Sequence, residues 1–228
     1  MQIVRYAVSY APRPGAFADR AAAWLGWDAN LGRNAVQTHI PGLPVPPVEL
    51  TRGPRQQGFH GALRVSLCPN DGVRMVEIDA RLSALAAASS KIVCDGLELR
   101  NLDGFLALMP VGPTTVIDDL AADVVKATND LRGDLSAADI ASHRTDLLTP
   151  RQYGLLLRWG HPFVMEEFRF HTMLTDRLAP EIAAKVMRIL SAYLEPTLPK
   201  PFVIEDICLF GEGEDQRFHL IHRYALTG

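Results

Sequence analysis

The sequence predicts an α+β protein of two pseudo-symmetric lobes, each an antiparallel sheet with helices on one face, with a central cleft between them. Three observations lead there. A Phe-His pair in an apolar stretch occurs twice, in "GFHGALRVSL" (58–67) and "RFHTMLTDRL" (169–178), so His60 and His171 stand 111 residues apart in a chain of 228. The same offset persists downstream, matching Leu63 with Leu174, Leu67 with Leu178, and "IVCDG" (92–96) with "VIEDI" (203–207). The order strand, helix, Phe-His strand, helix, strand, strand recurs in large part, which is the mark of a duplicated unit.

Each element has its own local reason. "IVRYAVSY" is rich in Val, Ile and Tyr and is stopped by "APRPG", so it reads as a strand. "AFADRAAAWLGW" reads as a short amphipathic helix with Gly26 as its stop. Residues 28 to 57 read as loop, because "PGLPVPPVEL" holds too many prolines for a helix or central strand. After the first Phe-His strand, "VRMVEIDARLSALAAA" has apolar positions at helical spacing. "KIVCDGLELR" and "GFLALMPV" are strands joined by a turn at "NLDG", and "VIDDLAADVVKATNDL" is a further helix. Residues 131 to 162 read as a helical insertion within a single bilobal domain. Ser136 with Asp139 has capping-box character, and "TPRQYGLLLRWG" carries Thr149 as cap, Pro150 at the first helical position and Gly160 at the end. After the second Phe-His strand come a helix, "PEIAAKVMRILSAYL", and two strands, "FVIEDICLF" and "RFHLIHRYAL".

Composition narrows the function classes. Hydrophobic residues make up 48% and charged residues 21%, as in an ordinary globule, and the net charge of −3 provides no global field for nucleic acid. Three cysteines without a Cys-x-x-Cys spacing argue against a disulfide framework or zinc knuckle and fit a reducing cytoplasm. No apolar run reaches the roughly 20 residues needed to cross a bilayer, and no Gly-rich phosphate loop or dinucleotide fingerprint occurs. Neither metal nor cofactor is expected.

The matched histidines carry the chemistry. If Phe59 and Leu63 face a lobe's core, strand alternation turns His60, Ala62 and Arg64 the other way, and likewise His171, Met173 and Thr175. Two lobes packed about a pseudo-twofold axis would face their histidines across the cleft. One imidazole could accept a proton from the attacking group and the other protonate the departing oxygen, since a pKa near 6.5 permits either state near neutrality. Phosphodiester cleavage needs that pairing and does not strictly require a metal.

The stretches "RYAVSYAP", "GFHGALR", "GFLALMP" and above all "LTPRQYGLLLRWGHPFVMEEFRFHTMLT" resemble the two-histidine (2H) phosphoesterase superfamily, which includes RNA cyclic phosphodiesterases and RNA-ligase-like proteins, and in particular its branch associated with phosphonate metabolism. The resemblance implies a bilobal fold, a cleft holding His60 and His171, no metal, and cyclic phosphodiester chemistry on a small phosphorylated ligand or an RNA end. It also implies a Thr or Ser two residues after each histidine, whose hydroxyl binds phosphoryl oxygens. This chain has Ala62 and Met173 there, with Thr172 turned to the other face unless a bulge re-aims it. Arg64 and Thr175, four residues beyond their histidines, could replace those hydroxyls in binding a phosphate. Arg151 either adds positive charge over the cleft or lies on a solvated helix face. Tyr6 and Tyr10 either stack on a base or ribose or, as the favoured reading, serve in core or edge packing. The expectation is a monomeric phosphoesterase with an altered phosphate cradle; the alternative is a member that binds its phosphorylated ligand without turnover.

Overall fold

Local signals set most of the element boundaries in the computed structural model, which describes residues 2–228. Strand β1 (Ile3–Tyr10) alternates: Val8 and Tyr10 enter the large core, while Ala7 and the following Ala11 enter a smaller cluster on the opposite face. Pro12 and Pro14 end it. Helix α1 (Ala16–Leu25) buries Trp24 and Leu25 and stops at Gly26, whose φ of 85° is the left-handed conformation that glycine adopts without steric cost. The segment expected as plain loop instead holds a hairpin, β2 (Trp27–Asp28) with β3 (Arg33–Asn34), and two short helices, α2 (Pro47–Leu50) and α3 (Arg52–Gln57). Pro47 starts α2, where a missing N–H costs nothing.

Strand β4 (Gly61–Leu67), helix α4 (Met75–Ala88), and strands β5 (Ile92–Cys94), β6 (Gly96–Leu102) and β7 (Phe105–Val111) follow. The β6–β7 turn places Asp103 at φ 50° and Gly104 at φ 95°, a pairing that suits a tight hairpin. Helix α5 (Thr115–Thr128) turns its Ile117, Leu120, Ala121 and Val124 into the core. Helices α6 (Ala137–Ser142) and α7 (Pro150–Trp159) both begin with a closed capping box, Ser136 with Asp139 and Thr149 with Gln152, and α7 ends at Gly160 with φ 85°. Strand β8 (Thr172–Met173), helix α8 (Pro180–Leu194), and strands β9 (Phe202–Ile204), β10 (Asp206–Gly213) and β11 (Phe218–Ala225) complete the chain.

The architecture is α+β, and the halves interlock. One sheet runs β11-β10-β1-β4 and another β6-β7-β8. At the 111-residue offset β6 corresponds to β10 and β4 to β8, and β1 lies between β10 and β4 as β7 lies between β6 and β8, so the two sheets repeat one order. The remaining equivalents, β5 and β9, pair antiparallel with each other, Val93 opposite Val203, as a local two-fold axis requires. Helices α4 and α5 pack on the first sheet, and α8 on the second with α1 against it. A single apolar cluster spans both lobes, from Leu63 and Leu67 through Leu106 and Leu108 to Leu190 and Phe202. At about 1.5–3 kcal/mol per buried side chain, that shared core is what holds the lobes as one body.

Candidate active site

The two Phe-His segments cross in contact. A Cβ added to Gly61 would overlap the Phe170 ring and come within 3.1 Å of Thr172 Cγ2, so only glycine lets the residue after His60 approach the residues flanking His171. Phe59 and Phe170 anchor the segments in the common core, and Tyr10 packs edge-on against Phe170 at 6.2 Å and Phe202 at 5.0 Å. Both histidines lie one residue ahead of their strands.

The two imidazoles have different surroundings. His60 is 9% exposed, stacked on Phe210 at 5.0 Å and near Phe218 at 5.8 Å, on the face of the first sheet away from the helices. The hairpin residues Trp27 and Ala29 pack at the edge of the same small cluster, with Trp27 Nε1 donating to Phe218 O at 3.1 Å. Burial lowers the His60 pKa to about 4, a backbone hydrogen bond with Gln57 acting the other way, so the ring is neutral at pH 7. Its Nδ1 has no partner. His171 is half-buried, and its Nδ1 lies 2.8 Å from Arg169 O. A carbonyl there requires a protonated Nδ1, which leaves Nε2 as the nitrogen that exchanges a proton.

Ser9 is the residue that sequence reasoning missed. It stands directly opposite Ala62 in the β1–β4 ladder, on the His60 side, fully buried and with its hydroxyl unpartnered. A hydroxyl absent at position 62 is therefore present across the strand. Nothing local marks it, because its parity in "RYAVSYAP" acquires meaning only once β4 is paired. The corresponding position in the second lobe is Ala107, opposite Met173, and supplies no hydroxyl.

Several expected ligand-binding residues are placed elsewhere. Arg64 does not share the His60 face. The register passes from Ser9 opposite Ala62 to Val8 opposite Arg64, a bulge that inverts the alternation and sends the guanidinium to the helix side, where Nη1 donates to Val125 O (2.9 Å) and Thr128 Oγ1 (2.8 Å). Thr175 is fully buried and accepts from Leu106 N at 3.0 Å, securing the end of β8. Thr172 is opposite Leu108 and buried, its hydroxyl unpartnered and its methyl against Gly61; no bulge turns it back towards the His171 face. Tyr10 is core, its hydroxyl pKa raised by burial and then by Asp206, and Tyr6 packs against the same core from the strand's helix side. Arg151, on the first turn of α7, is engaged with Glu166 at 2.5 Å and lies 3.9 Å from Glu167. Among the described residues no three His, Cys, Asp or Glu side chains converge as a metal site, and no helix is long and apolar enough to cross a membrane.

Interlocked α+β lobes with a histidine at each crossing segment define the class of molecule. A family model matches residues 63–219, and the chain belongs to that family, described as "Protein of unknown function (DUF1045)". Two curated relatives bear the name ribose 1,5-bisphosphate phosphokinase PhnN. The one from Janthinobacterium sp. (strain Marseille) is 34% identical over 77% of this chain and 39% of its own length, and the one from Laribacter hongkongensis (strain HLHK9) is 31% identical over 92% and 49%. The chain thus spans at most about half the length of these relatives. Among solved structures, it is similar to a phosphoesterase (TM-score 0.47, 16% identity, all of both chains) and to Escherichia coli LigT complexed with 3′-AMP (0.48, 14%, all of both chains).

Proposed function

We propose that the protein is a phosphoesterase that opens a small cyclic phosphodiester by acid–base catalysis between His60 and His171, without a metal. The observation that carries this reading is the crossing at Gly61, which draws the two histidine segments of a duplicated fold together. In the proposed step, water attacks phosphorus while His60, neutral at pH 7, takes its proton. The bond from phosphorus to one ester oxygen breaks, and that oxygen receives a proton from Nε2 of protonated His171. Ser9 donates its unpartnered hydroxyl to a phosphoryl oxygen. The different surroundings of the two rings support this division of labour, with His60 as base and His171 as acid.

The curated relatives suggest a substrate class. Their name is that of a kinase for a ribose bisphosphate, whereas this sequence has no Gly-rich phosphate loop. Opening a cyclic phosphate ester on a phosphorylated ribose yields a ribose bisphosphate, the class of compound that such a kinase consumes. The test is hydrolysis of 2′,3′-cyclic nucleotides and of a cyclic phosphate of ribose 5-phosphate by wild type, His60→Ala and His171→Ala. Either substitution should lower turnover by about 10²–10⁴; equal rates for all three proteins end the proposal.

A second reading, ligand binding without turnover, is favoured by Ala62 and Met173 and by the internal engagement of Arg64, Thr175 and Arg151. It predicts thermal stabilisation of the wild type by the same compounds with no product formed.

A further inference from the structure

The helix side of the first sheet holds two guanidinium groups close together with no counter-ion. Arg64 is 2% exposed, and its bonds go to neutral acceptors: Ser66 O, Val125 O and Thr128 Oγ1. Its Nη2 is buried without a partner. Arg132 is brought alongside by the loop after α5, which runs antiparallel to the end of β4: Asn70 N donates to Leu131 O and Gly133 N to Cys68 O, both at 2.9 Å. Its side chain lies over Gly160, where an added Cβ would come within 2.8 Å of Arg132 Cδ, so the glycine that ends α7 also leaves the space this arginine occupies. Arg132 donates from Nη1 to Gly133 O at 2.8 Å, but its Nε is buried and unpartnered. Among the described residues neither guanidinium meets a carboxylate.

Two neighbouring cations repel each other, and burial removes much of the water that would screen them. Guanidinium N–H groups left unpaired add a further cost, which a fold tolerates where a group absent from the chain itself completes the set. Burial, and after it Arg132, holds the Arg64 pKa down to about 10, as expected of cations lacking an anion. Two planar donors with free N–H groups suit an oxyanion that accepts several hydrogen bonds and carries more than one negative charge. We infer that Arg64 and Arg132 bind a phosphate-type oxyanion at a second site, on the opposite side of the first sheet from His60. Asn129 Oδ1, also buried and unpartnered, lies on the same loop, so water joining it to the arginines is the competing occupant.

The experiment titrates inorganic phosphate against sodium chloride of equal ionic strength and follows thermal unfolding. It uses His171→Ala, which disables the histidine site, and the double variant His171→Ala/Arg132→Gln. The glutamine keeps hydrogen-bonding capacity and removes the charge. Phosphate should raise the unfolding temperature of His171→Ala beyond the effect of chloride, and the double variant should bind at least about tenfold more weakly. Iodoacetamide labelling gives a local readout, because Cys68 at the rim is exposed while Cys94 and Cys208 are buried. Phosphate should slow labelling of Cys68 in the single variant but not in the double one. Chloride matching the effect of phosphate, or an undiminished response after loss of Arg132, overturns the assignment.

Discussion

At the residue scale the proposed site turns on Ser9, across the β1–β4 ladder from the first histidine segment. Its hydroxyl is fully buried and lacks any protein partner, yet it faces Ala62 beside His60. A hydrogen bond to a charged group contributes about 1.5–3 kcal/mol, so Ser9→Ala should lower kcat by about 10- to 100-fold with little change in KM. Threonine at position 62 in that background should recover part of the rate by restoring a hydroxyl on the same face. Steady-state kinetics on a cyclic phosphodiester decide the matter, and a Ser9→Ala enzyme at wild-type speed removes Ser9 from the mechanism. The histidines were legible because they recur with similar neighbours. Ser9 was not, because its meaning depends on a partner strand more than 50 positions away, and Arg64 was misplaced because the bulge between Ala62 and Arg64 inverts the alternation at that point.

At the element scale the signals that succeeded are those read within one turn of chain. Gly26 and Gly160 end helices in the left-handed conformation, and Ser136 and Thr149 open them with reciprocal bonds, all as their sequences predict. The hairpin Trp27–Asn34 was invisible because its fixing contacts are distant: Leu220 N donates to Ala29 O at 2.8 Å and Arg223 Nη2 to Asn30 Oδ1 at 3.0 Å. The crossing of the two histidine segments likewise depends on tertiary contact, and it can be tested directly. Gly61→Ala forces a methyl into the Phe170 ring and should cost about 1–3 kcal/mol. Phe170→Leu combined with it should cost less than the sum of the single changes, because the leucine vacates the contested volume. Urea unfolding of the four proteins measures the coupling; strict additivity would show that the two residues do not meet.

For the whole molecule, two imidazoles that burial holds neutral, His60 fully and His161 in part, impose a pH limit. His60 and His161 both have folded-state pKa values lowered to about 4, the first by burial and the second by burial and then by His143. In the unfolded chain each titrates near 6.5, so between about pH 6.5 and 4 the unfolded state binds more protons. Their contribution is therefore complete above pH 6.5 and is lost as pH falls towards 4, up to about 3 kcal/mol for each. Urea midpoints should fall between pH 7 and pH 5, and His161→Asn should flatten the profile. Unchanged midpoints over that interval would show that the rings are hydrated.

The pairing of β5 with β9, and of β10 with β1, means that neither half closes on its own residues. A chain severed near Gly112 yields two fragments that each expose raw sheet edges and want the other, or a second copy of themselves, to cover them. The duplication thus resembles a dimer whose subunits have been joined end to end, with the former contact between copies now serving as the spine of a single polypeptide.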